Sequence, residues 1–142
     1  MRNNNWLEIQ LKFLLKKYFS DITVTNPIEI KFGREAKYRF GSIKLFKKGR
    51  FFGKPQKSVI TITKMFAKDD IPVEVVQYTI SHELCHYAHG FSSTNKRLFK
   101  YPHHGGIVNK ELAERKAKHL ISAFKKWLKS YRLLILTGRV SV

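Results

Sequence analysis

Apolar and polar residues follow two different periods along this chain, and the points where the period changes mark out its elements. Near the N-terminus Trp6, Ile9, Phe13 and Leu14 recur at helical spacing with lysines between them, behind an Asn3-Asn4-Asn5 stretch able to cap a helix. This pattern predicts an amphipathic helix over 5–19. "TNPIEIKF" then sets Ile28, Ile30 and Phe32 against polar neighbours at period two, as a half-buried strand requires. "KYRFGSIKLF" alternates as well, with Gly41 interrupting it as a bulge or bend would. "SVITITKMF" is β-branched and reads as a third strand, and the Gly-, Pro- and Lys-rich "GRFFGKPQK" before it reads as a turn.

At "KDDIPVEVVQYTISHELCHYAHG" the period becomes 3.6 and predicts a helix over 72–89. Asp69 and Asp70 place negative charge at its start, Pro72 suits its first turn, and Gly90 stands where a C-terminal cap belongs. Val73, Val76, Ile80, Leu84 and Tyr87 share one side and are expected to face the core. "FSSTNKRLFKYPHHGG" has no sustained period and is a loop. From Ile107 a long helical pattern runs through Leu112, Leu120, Ile121, Phe124 and Leu128, with Lys110, Lys118, Lys125, Lys129 and Arg132 as a basic stripe. The apolar tail "LLILTGRVSV" ends in a turn, and its pairing as a strand stays open.

A chain of 142 residues fits one domain with one core, so a single site is sought. Its 43% hydrophobic content, with 11 Phe, 6 Tyr and 2 Trp, excludes a disordered basic tail. Twenty-eight Lys+Arg against 10 Asp+Glu give a formal charge of +18, which attracts polyanions, nucleic acid before anionic membrane. The single cysteine, Cys85, excludes an internal disulfide and a four-cysteine zinc module and fits a reducing compartment. The N-terminus lacks the features of a secretory leader and no apolar run reaches spanning length, so a cytoplasmic protein is expected.

The chemistry concentrates in "SHELCHYAHG". On a helix, positions i and i+4 differ by about 40° in azimuth and about 6 Å in rise, so His82 and His86 can close on one metal ion. Glu83, rotated by about 100° from His82, stands beside that ion, where a general base takes a proton from water activated by the metal. A catalytic zinc needs a third protein ligand. The candidates are His89, His103, His104, Glu111, Glu114 and His119. His89 shares the face of the pair but lies about 7.5 Å along the axis from its midpoint, so it is expected to line the cleft instead. His103 and His104 precede two glycines that let the backbone approach the helix, which favours one of these two. Cys85 points about 80° away from the mean direction of the histidines and reads as a small buried apolar residue.

The order helix, three strands, HExxH helix, then a His-Gly loop before another helix resembles the SprT-like (Spartan-type) minimal zinc metalloproteases. "YRFGSIKL", "SVITITKMF", "IPVEVVQYTISHELCH" and "PHHGG" carry the resemblance, over roughly residues 5–128. It implies an α+β, zincin-like core: an N-terminal helix, a small three-stranded, mainly antiparallel sheet, the HExxH helix and a long C-terminal helix. It implies zinc held by His82, His86 and His104, with Glu83 as the base. A related compact group, the minigluzincins, uses a glutamate of the following helix as third ligand, which keeps Glu111 and Glu114 as alternatives beside His103. Many family members add a cysteine zinc ribbon or a recruitment tail, which this sequence lacks.

The expected function is zinc-dependent endopeptidase, with water activated by the metal and Glu83 attacking a peptide carbonyl. Zincins align substrate along a sheet edge, and "SVITITKMF" is the candidate edge; Tyr101 is a candidate oxyanion donor. The resemblance implies action on DNA-associated or DNA-crosslinked proteins. Independently, "FKKGRFFGKPQK" interleaves Phe51 and Phe52 with cations in a manner suited to unpaired bases, so single-stranded DNA is the favoured nucleic acid. The alternative is a nucleic-acid-binding module in which a fourth ligand, His103 or His89, closes a structural zinc site.

Overall fold

The computed structural model describes residues 1–47 and 56–138. In chain order the elements are α1 (Asn4–Tyr18), β1 (Ile28–Phe32), β2 (Gly41–Lys47), β3 (Gln56–Ile62), α2 (Val73–Ala88), α3 (Ile107–Glu114) and α4 (Lys118–Leu136). The class is α+β, with four α-helices and a three-stranded sheet among the described residues. None of the described helices is long and apolar enough to cross a membrane. Residues 48–55, and with them Phe51, Phe52 and most of the basic aromatic turn, lie outside the described residues.

The sheet corrects the expected mainly antiparallel pairing. Its order is β1-β3-β2: β3 runs parallel to β1, from Ile28↔Ser58 to Phe32↔Ile62, and antiparallel to β2, from Gly41↔Ile62 to Lys47↔Gln56. The chain reverses between β1 and β2 and again before β3, so β3 runs in the direction of β1 and fills the gap between the other two. β3 is therefore the central strand, with Ser58, Val59, Ile60 and Ile62 all buried, and the edge role expected of it belongs to β1 and β2.

Helix α1 begins as its asparagines suggest: the Asn3 side chain accepts from Trp6 N at 2.9 Å. Its buried face is Leu7, Leu11, Leu14 and Tyr18, whereas Ile9 and Phe13 are exposed, so the core stripe is rotated from the expected one and shares Leu14 with it. Helix α2 buries Val76, Ile80, Leu84 and Tyr87 as expected, but Val73 in its first turn is exposed. Burial does not stop at that stripe: Val75, Tyr78, Thr79, Ser81, Glu83, Cys85 and His86 are buried too, so the helix is enclosed on almost every side. Gly90, at φ +84°, ends the helix; a Cβ there would lie 2.5 Å from Arg97 N, so neither the backbone conformation nor the space admits another residue.

The expected continuous C-terminal helix is two helices. It breaks at Arg115–Ala117, where Lys116 takes φ +65° and Ala117 N bonds back to Leu112 O at 2.8 Å. The break lets Val108 and Leu112 on α3 and Leu120 and Ile121 on α4 reach the same core. The tail "LLIL" continues α4 rather than forming a strand, and residues 139–142 lie outside the described ones.

Gly41 opens β2 where that strand crosses α2. A Cβ at this position would stand 2.7 Å from Thr79 Cγ2 and 3.7 Å from Glu83 Cγ. Thr79 is β-branched and stiff, and its hydroxyl already donates to Val75 O at 3.0 Å, so it cannot simply swing away. Gly41→Ala is expected to lower stability by about 1–3 kcal/mol in urea melts. An unchanged midpoint would mean that the strand does not approach the helix this closely.

Candidate metal centre

Helix α2 carries His82 and His86 one turn apart with their ring centroids 4.7 Å from each other. The third member comes from the loop: His103 Nε2 lies 3.1 Å from His82 Nε2 and 3.1 Å from His86 Nε2. Among the described residues, these three form the group whose ligand atoms all fall within 4.8 Å of one another. His103, the neighbour of the expected His104, thus completes the cluster; the side chain of His104 itself lies outside the described part of the structure.

The loop is aimed by anchors on both sides of His103. Before it, Phe91 N bonds to His86 O and Leu98 N to His89 O, both at 2.9 Å, folding the chain back onto the end of α2. After it, Gly105 and Gly106 take φ +62° and +68°, a left-handed turn that leads into α3. Helix α3 is in turn fastened to α2 at two levels: Tyr78 Oη donates to Asn109 Oδ1 at 2.7 Å, and His89 Nε2 pairs with Glu111 Oε1 at 2.6 Å.

Those contacts dispose of the other candidate ligands. His89 is 1% exposed and committed to Glu111, so it neither lines the cleft nor approaches the three histidines as a fourth ligand. Glu111 Oε2 also accepts from Arg115 Nε at 3.1 Å. Burial pushes the Glu111 carboxyl up, but the bonds from His89 and Arg115 prevail and hold it below its usual value. Glu114 is exposed on α3, and His119 pairs with Tyr18 Oη at 3.1 Å. Cys85 is fully buried, and burial, then Glu111, push its thiol well above the usual range, which bears out its reading as a small apolar residue.

The donor set fits a divalent transition metal. Burial, reinforced by His103, depresses His82 to about 4; burial, then His82, depresses His86 to about 3. Both rings therefore keep free lone pairs at neutral pH. A single proton on His103 Nε2 cannot serve both 3.1 Å contacts in line, whereas a tetrahedral ion with bonds of about 2.05 Å would hold its nitrogens about 3.3 Å apart. Packing orients His86, its ring meeting Phe91 edge-on at 6.2 Å; its buried Nδ1 has no partner among the described groups.

Glu83 stands beside the cluster at 5% exposure, under the Gly41 end of β2. Burial raises its carboxyl to about 7, against the opposing pull of the Arg39 charge. Glu83 and the three histidines line a cleft of about 830 Å³. The cleft is bordered by Gly41, Ser42 and Ile43, so the sheet edge beside the site is β2. Tyr101 is 55% exposed, with Lys100 Nζ 5.5 Å from its ring centre, and is not among the residues lining the cleft. Arg39, whose charge acts on Glu83, carried no signal in the sequence beyond being one basic residue among many.

Comparison of the chain with protein-family models, with curated proteins and with solved structures finds no match in any of the three.

Two outcomes follow from this geometry. His103→Ala is expected to weaken zinc binding at least about 100-fold in competition with a chromophoric chelator, and His104→Ala to leave it within a few-fold. The reverse result would move the third ligand by one residue. In the metal-free protein Glu83 titrates near 7 when folded and near 4.5 when unfolded, so across that window the folded state binds more protons and stability falls as pH rises. Glu83→Gln removes this loss while keeping the opposite contribution of the histidines. Its stability gain over the wild type should be small at pH 4.5 and grow to at most about 3 kcal/mol by pH 8. A gain that does not vary with pH would place the carboxyl in water.

Proposed function

We propose that this chain is a zinc-dependent endopeptidase with a zincin-like core of the SprT-like kind. The observation that carries this reading is the convergence of three imidazoles, with a buried carboxyl beside them, in an open cleft. Zinc held by His82, His86 and His103 would supply a Lewis acid that polarises a substrate carbonyl and acidifies water at neutral pH. Glu83 accepts the proton on its carboxylate and returns it to the leaving amine; a value of about 7 lets it do both near neutrality. The edge of β2 offers backbone groups along which an extended peptide can lie. Three ligands among the described residues, with His89 held away by Glu111, favour an open coordination position over a closed structural site.

The formal charge of +18 supports nucleic acid as a second partner, and the resemblance to the SprT-like proteases implies DNA-associated or DNA-crosslinked proteins as substrates. Single-stranded DNA is the first probe.

The zinc-loaded protein is expected to cleave a DNA-binding protein faster with single-stranded DNA than without it. Glu83→Gln should lower that rate at least about 100-fold while retaining its zinc. Full zinc occupancy with no cleavage in either condition would instead favour a nucleic-acid-binding module with a structural metal.

A further inference from the structure

The cleft extends well past the metal centre, and its lining is not uniform. It follows α2. On the side of Tyr78, one turn before His82, it is walled by α4 and the segment entering β2: Tyr78 stacks on Phe124 at 4.3 Å and 19°, and Phe40 meets Phe124 and Tyr131 edge-on. Leu128 and Ile135 continue the same wall. Beyond His86 it reaches Phe91, over which the Arg97 guanidinium lies at 4.7 Å. The charges along this path are Lys37, Arg39, Arg97 and Arg132, all exposed, and Glu83 is the only carboxylate among the described residues lining it.

We infer that the site selects an extended peptide segment that places a large apolar side chain against the Tyr78–Phe124–Phe40 wall and acidic residues on either side of it, opposite Lys37, Arg39 and Arg132 at one end and Arg97 at the other. The inference rests on the peptidase reading and supplies its substrate class. An apolar side chain gains about 1.5–3 kcal/mol by leaving water for such a wall, while a polar one gains nothing there. Carboxylates flanking it meet cations in a cleft with one carboxylate of its own, and lysines in the same places meet like charge. The same features suit nucleic acid less well. The rings of the wall are committed to one another, Tyr78 to Phe124, Phe40 to Phe66 at 5.4 Å and 25°, and Trp127 to Tyr131 at 4.7 Å and 13°. Rings packed in this way give apolar bulk rather than an open stacking platform for bases, and Glu83 on the floor repels a phosphate chain.

Binding of fluorescent octapeptides to the zinc-loaded Glu83→Gln protein tests this without turnover, so a failure of catalysis does not affect the result. A peptide with a central Phe flanked by glutamates is expected to bind at least tenfold more tightly than one flanked by lysines, and at least tenfold more tightly than one with a central Ser flanked by glutamates. Adding Arg39→Glu and Arg132→Glu should remove the preference for glutamates. The same charge change on α1, Lys12→Glu with Lys16→Glu, should leave it in place, which separates the cleft from the overall charge of the protein. Equal binding of the Phe and Ser peptides, an equal loss in the α1 variant, no detectable binding of any peptide, or displacement of the Phe peptide by an equimolar oligothymidylate would each overturn the inference.

Discussion

The enclosure of α2 is the constraint on which the rest of the molecule depends. A helix buried on nearly every side would ordinarily be apolar all round. This one carries Thr79, Ser81, Glu83 and His86 among its buried residues. Thr79 resolves its own burial by bonding back to Val75 O. Glu83 and the histidines have no such local solution, and the cost falls on their charged forms: the carboxyl rises and the imidazoles fall. The packing that holds the core together thus also leaves neutral nitrogens with free lone pairs beside a carboxyl that titrates near neutrality. Reactive character here is a consequence of burial rather than an addition to it.

The position of His103 depends on residues outside the histidine cluster. From Glu111 a chain of polar contacts runs to His89 on one side and, through Arg115, to Asp21 and the carbonyl of Tyr18 on the other. It ties the end of α1, the whole of α3 and the end of α2 into one unit. The loop bearing His103 is strung between that unit and the Leu98–His89 bond. Two exposed glycine residues in left-handed conformation complete the turn, and a Cβ at either would meet nothing within 4 Å, so what they contribute is backbone freedom rather than room. Placing one imidazole nitrogen 3.1 Å from two others is therefore a property of all the elements that anchor this loop.

What the sequence makes legible divides along the same line. His82, Glu83 and His86 could be placed from helical geometry alone, because their relation is set within two turns of one helix. The burial of Cys85 follows from the same azimuth argument. The choice between His103 and His104 does not, since one residue of slip in an irregular loop changes no periodicity. Nor does the sheet order: β3 was readable as a strand, but its insertion between β1 and β2 is a long-range pairing that no local pattern records. On α1, Ile9 and Phe13 and Leu7 and Leu11 all satisfy a helical period, and packing against the sheet and α2 decides which set is covered. The break at Lys116 has neither Gly nor Pro to announce it; a lysine takes positive φ there, and the helices on both sides reach the same core.

Charge and reactivity occupy different layers of the cleft. The cations stand on its exposed border, and the floor holds the His82 and His86 imidazoles, whose proton affinity burial lowers, and one buried carboxyl. Salt screens the border within about 10 Å at 0.1 M, but it screens the buried floor far less. Arg39 joins the two layers, since its charge reaches Glu83 and offsets part of the effect of burial. An acidic segment settling on the border would neutralise Arg39 and deepen the burial of Glu83 together. Both changes raise the carboxyl, whereas a divalent cation among the three histidines lowers it. In the chain alone the Glu83 carboxyl stands near neutrality because burial raises it while the Arg39 charge lowers it, so neither alone fixes its proton affinity.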